Sequence, residues 1–160
     1  GAALIAGRSP GDAAELADVF RPLGLLFQIQ DDILDLYGEN GREMRGSDLA
    51  QSGKVTAIVV EHLRLHPEER EWLLEVLRAP RDNTPPAEIE RAIERFVSGG
   101  AVAAVWRRID ALVAALEQSR ALAREPALFA LAETFAAEAL RLVAHTRPRT
   151  TPPEPPQGAT

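Results

Sequence analysis

GLLFQIQDDILD, residues 24–35, carries four polar side chains on one potential face of an otherwise apolar run: Gln28, Asp31, Asp32 and Asp35. They stand at i, i+3, i+4 and i+7, the spacing that stacks side chains along one side of a helix. At about 100° per residue, Phe27 and Leu34 border that face on one side and Leu25 and Leu36 on the other. Three carboxylates within about two turns, among apolar neighbours, repel one another and resist ionisation unless a cation or hydrogen-bond donors compensate them. A hard divalent cation with oxygen ligands is a natural compensation, and Mg²⁺ usually completes its shell with water and phosphate oxygens. On spacing alone an acidic face turned to solvent stays open as the alternative.

Downstream, GENGREMRGSDLAQSGK at 38–54 sets Arg42, Arg45 and Lys54 among glycines, a composition suited to a loop that meets anions through side chains and backbone N–H groups. FQIQDDILD at 27–35 followed by GSDLAQSGKVT at 46–56 resembles the second aspartate-rich region of the trans-isoprenyl diphosphate synthases. A Phe-Gln pair, a DDxxD and a Gly-Lys-x-Thr occur in that order. A weaker resemblance extends over about residues 1 to 147, including the SGGA break at 98–101 and Arg147 near the end.

The resemblance implies an all-α helical bundle of the isoprenoid (terpene) synthase type, represented by its C-terminal half at 1–147. It implies Asp31, Asp32 and Asp35 as Mg²⁺ ligands, Asp35 the least direct. Gln28 would face the reacting carbon, Phe27 would line the same cavity, and Lys54 would reach the substrate diphosphate. Arg42 matches a basic position in the preceding loop, and Asp48 is either an acid that orients Lys54 or a water, or a helix cap. The implied reaction ionises an allylic diphosphate, which the double bond of isopentenyl diphosphate attacks; product length is not legible.

The family's first DDxxD region and its arginines have no counterpart here, so a missing N-terminal half or a second chain is the expected partner, with the complete enzyme a homo-oligomer such as a dimer. The chain alone is expected to be inactive. A non-catalytic partner subunit and a helical scaffold without catalysis are the alternatives.

At 160 residues the chain can bury one sizeable core. A net charge of −6 without a basic cluster argues against nucleic acid as a partner. There is no cysteine, hence no disulfide framework or thiolate metal site, and the expected location is the cytoplasm. No apolar run approaches the roughly 18 residues of a membrane span.

Along the chain, Ser9-Pro10 signals a helix start and Gly38 a stop, with Pro22 expected to kink or break the helix near Phe20 or Arg21. Further helices are expected from Lys54 to Leu65, from Pro67 to Arg78, from Pro86 to Val97 with Thr84 as cap, from Ala101 to Arg124, and from Pro126 to His145. His62, His66 and His145 lack metal-ligand spacing, and Trp72 and Trp106 read as core aromatics. The tail at 148–160, with five prolines, is expected to be disordered.

Overall fold

A computed structural model describes residues 2–38, 45–79 and 84–149, the side chains of 50–52 apart. Arg42 and most of the Pro/Thr-rich tail lie outside the described residues. Every regular element among the described residues is helical: α1 (Ala2–Ile5), α2 (Pro10–Tyr37), α3 (Ser47–Ser52), α4 (Ala57–Leu65), α5 (Arg70–Arg78), α6 (Pro86–Ser98), α7 (Ala101–Glu117), α8 (Arg120–Ala123) and α9 (Pro126–Val143), with 3₁₀ turns at Pro67–Glu69 and Ala144–Thr146.

α2 is the central element, packed against α9 and α7, while α4 packs on α7. Its start is fixed as the sequence indicates. Ser9 Oγ accepts the Asp12 N–H at 3.1 Å, Asp12 returns a carboxylate to the Ser9 N–H, and Pro10 occupies the first turn, where a missing N–H costs nothing. Its end is the left-handed Gly38 at φ 71°, whose N–H caps the Asp35 carbonyl.

Leu23, Leu26, Ile29, Ile33 and Leu36 of α2 are buried together with Ile58 and Val59 of α4, Ile93 and Phe96 of α6, and Val105 and Ile109 of α7. Burying each large aliphatic side chain contributes about 1.5–3 kcal/mol, far more than any surface pair here supplies.

Several expectations are corrected. Of the kink or break expected at Pro22, the break does not occur, and α2 continues through it. Val19 and Phe20 before it, and Leu23 and Leu26 after it, pack into one core, and that shared burial holds the helix together despite the lost backbone bond. The glycine-rich segment is not all loop, because α3 forms between two left-handed glycines, Gly46 and Gly53. Helix α4 begins at Ala57 rather than Lys54: Thr56 is extended and its hydroxyl accepts the Val59 N–H.

Pro67 opens a 3₁₀ turn before α5 rather than α5 itself. The span expected from Ala101 to Arg124 is two helices, because Ser119 caps a new turn that swings Leu122 into the core. α9 stops at Val143 and tightens into a 3₁₀ turn, Ala144–Thr146, that contains His145.

Thr84 does not cap α6; Pro85 holds that position, and the Thr84 hydroxyl is buried without a partner among the described residues. Trp106 is buried as expected, but Trp72 lies at the core's edge, its indole N–H donating to Glu88 and its ring under Arg91 and Arg95.

Candidate active site

The polar face of α2 divides by depth. Gln28 and Asp31 are exposed, whereas Asp32 and Asp35 are 7% and 3% exposed, because the helix leans its later turns on α3 and α4. Each buried carboxylate is met by donors from the segment that follows.

Asp35 Oδ2 accepts the Asp48 N–H at 3.0 Å, and Oδ1 accepts the Ser47 hydroxyl. The Asp35 carbonyl also accepts the Gly46 N–H at 2.8 Å. Gly46 adopts φ 64°, and a Cβ there would come within 2.9 Å of Ile89. The turn is therefore tied to the end of α2 by side chain and backbone together.

Asp32 Oδ2 accepts the Ala57 N–H at 2.9 Å, and Oδ1 receives Lys54 Nζ at 3.2 Å. Burial still outweighs these donors and holds the Asp32 carboxyl above the usual carboxylate range. Lys54 Nζ donates also to Asp48 Oδ2 at 2.8 Å. The Asp48 carboxylate, with Asp32 adding to it, pushes the lysine up to about 12, so it is an ammonium throughout the neutral range. Asp48 thus orients Lys54, the first of its two sequence readings.

Gly53 sets the approach of this lysine: at φ 57° a Cβ would lie 2.2 Å from the Leu77 carbonyl oxygen, so only glycine lets the chain pass α5 at that point.

Phe27, Gln28, Asp31, Asp32, Lys54 and Arg108 line one cleft of about 560 Å³, floored by apolar residues of α2 and α4. Phe27 is 44% exposed and meets Phe135 of α9 edge-on, ring centroids 6.5 Å apart. Five of the sequence-derived site residues therefore share one cavity. Asp35 is held away from it, against the start of α3, and Arg42 lies outside the described residues.

Asp31 and Asp32 offer two neighbouring oxygen-donor carboxylates at the cleft wall, a donor set that fits Mg²⁺, which takes one or two carboxylates and leaves positions for water and phosphate. No group of three His, Asp or Glu side chains converges as a metal site among the described residues.

The residue that motif reading missed is Arg108, contributed by α7, far away in sequence. Elsewhere His62, 1% exposed, pairs through Nε2 with Glu69 at 2.9 Å, and His66 donates to the Gly99 carbonyl. Both are structural contacts remote from the cleft lining.

The family model described as Polyprenyl synthetase matches residues 1–96, and the chain belongs to that family. Its all-helical architecture is the isoprenoid synthase fold of that family. Among curated proteins the chain is 36% identical over 146 residues to the short chain isoprenyl diphosphate synthase of Methanothermobacter thermautotrophicus, covering 89% of this chain and 41% of the relative. It is 37% identical over 95 residues to the enzyme of the same name from Methanocaldococcus jannaschii, covering 58% of this chain and 28% of that one. It is also 34% identical over 137 residues to the geranylgeranyl diphosphate synthase of Mycobacterium tuberculosis, covering 82% of this chain and 38% of the relative.

The chain thus spans at most about two fifths of the length of these relatives. No solved structure gives a significant match. Among the described residues no helix is long and apolar enough to cross a membrane.

Proposed function

We propose that this chain supplies one wall of a prenyl-transfer site that condenses isopentenyl diphosphate with an allylic diphosphate. The observation that carries the reading is the convergence of Gln28, Asp31, Asp32 and Lys54, distant by up to 26 positions, on one cleft with apolar flanks.

Asp31 and Asp32 would hold Mg²⁺, which when bound supplies positive charge to the departing pyrophosphate. Asp35, through its bonds to Ser47 and the Asp48 N–H, fixes the α2–α3 corner that aims Asp48 and Lys54. Asp35 does not line the cleft, so its part here is in positioning rather than in direct ligation.

Lys54 places a permanent ammonium at the cleft wall, where it can hold the diphosphate as charge builds on breaking of the carbon–oxygen bond. Gln28 lines the cavity, where its amide oxygen can face the positive charge that develops on the allylic carbon. Phe27 and the aliphatic floor give the cavity an apolar side that, once the opposing wall closes it, would keep water from that carbon.

A chain spanning about two fifths of its relatives brings one acid-bearing helix to the cleft, so the opposing wall would come from a further segment or a second chain. The homo-oligomeric state and cytoplasmic location of the complete enzyme belong to the same proposal.

The test is a chimera in which the remaining part of the Methanothermobacter relative is joined to this chain and incubated with labelled isopentenyl diphosphate, an allylic diphosphate and Mg²⁺. Labelled prenyl diphosphate that Asp32→Ala abolishes is the expected result. A folded chimera that forms no product would favour a non-catalytic subunit instead.

A further inference from the structure

Positive charge in the cleft is scarcer than its lining suggests. Lys54 serves two carboxylates at once, Asp32 at 3.2 Å and Asp48 at 2.8 Å, and Asp31 adds a third acid beside them. Before any cation binds, that wall is net negative and would repel a diphosphate. Arg108, exposed on α7 and brought there by the packing of α7 on α4 and α2, lines the same cleft.

Most arginines nearby are committed: Arg45 to Glu90, Arg64 to Glu61, Arg95 to Glu69 and Arg147 to Asp110. Among the described residues Arg108 makes no hydrogen bond or ion pair. Its neighbour Arg107 joins it in an adjoining groove of about 420 Å³, where Glu61 offsets Arg64 and the two remaining guanidiniums leave this side positive.

We propose that Arg108 is a substrate-binding residue that takes a phosphate group of the diphosphate from the α7 side of the cleft. The guanidinium presents parallel N–H donors in a planar fork that matches two phosphate oxygens, which the ammonium of Lys54, already divided between two acids, does not. The division of labour is electrostatic: the acid wall acts through a bound cation, whereas Arg108 contacts the anion directly and contributes even when no divalent cation is present. This inference rests on the proposed diphosphate-binding reading and adds a further anion-binding residue to it.

The test is isothermal titration of pyrophosphate into the chain, with Mg²⁺ and with chelator, for the unaltered protein, Arg108→Ala, Arg108→Lys and Asp31→Asn. The exposed position predicts that all four melt alike without ligand. Arg108→Ala should weaken pyrophosphate binding by about tenfold in both conditions, and Arg108→Lys should recover only part of it, since charge returns without the fork.

Asp31→Asn should lower affinity only in Mg²⁺. Binding that Asp31→Asn weakens while Arg108→Ala leaves it unchanged overturns this inference and spares the functional reading. Full recovery by Arg108→Lys overturns the fork. Absence of any pyrophosphate binding by the unaltered chain in Mg²⁺ overturns both.

Discussion

Asp35 Oδ2 receives the backbone N–H of Asp48 at 3.0 Å, so the last acid of the α2 face closes the corner on which the residue that aims Lys54 is mounted. The carboxylate is 3% exposed with its residue, and removing it would leave the Asp48 N–H and the Ser47 hydroxyl without this acceptor. Asp35→Ala should therefore cost about 1–3 kcal/mol of stability. Urea denaturation measures it; an unchanged midpoint would show that the corner is held by backbone contacts alone.

Gly53→Ala should be as damaging for a different reason. The left-handed φ of 57° strains any Cβ, and the contact with the Leu77 carbonyl at 2.2 Å forces either α5 or the Lys54 segment to move. A loss of about 1–3 kcal/mol is expected for a backbone held in so sparsely populated a region. Wild-type stability would mean the turn has another conformation available.

Lys54→Ala should weaken pyrophosphate binding by about tenfold or more, because a charged donor to the anion is lost. Its effect on folding has two parts of opposite sign, since Asp32 and Asp48 lose their partner while the cost of burying the amine disappears. Titration of pyrophosphate into the variant decides the matter, and undiminished affinity would remove Lys54 from the site.

A pH dependence should come from His66. The Gly99 carbonyl, 2.9 Å from Nε2, and then Glu68, 3.3 Å from Nδ1, both favour the imidazolium and raise the His66 pKa above its usual value. A raised folded-state value means stability fully present below about 6.5 and lost as pH rises through the higher folded value. Urea midpoints at about pH 5.5 and about pH 8.5 should fall more with rising pH in the unaltered chain than in His66→Gln, which keeps a donor for Gly99 but cannot ionise. Equal slopes would refute the assignment.

The face of α2 was legible because helical period alone aligns Gln28, Asp31, Asp32 and Asp35, and the Ser9-Pro10 start and Gly38 stop need only local chemistry. What distinguishes Asp32 from Asp35 was not legible, since their donors come from residues 47, 48, 54 and 57, which only folding brings near. That α2 runs unbroken through Pro22 was not legible, because local propensity yields to packing on both of its flanks. α3 was hidden by the glycines that bound it. Arg108 gave no signal: beside Arg107 on an amphipathic helix it reads as solvated, and its place in the cleft depends on how α7 crosses α2 and α4.

The most direct test of the central claim is calorimetric titration of pyrophosphate into this chain with and without Mg²⁺, repeated for Asp31→Asn and Asp32→Asn. The account predicts binding that Mg²⁺ strengthens in the unaltered chain and that either substitution returns to its metal-free level. Affinity indifferent to Mg²⁺, or equally Mg²⁺-dependent in both variants, would contradict it.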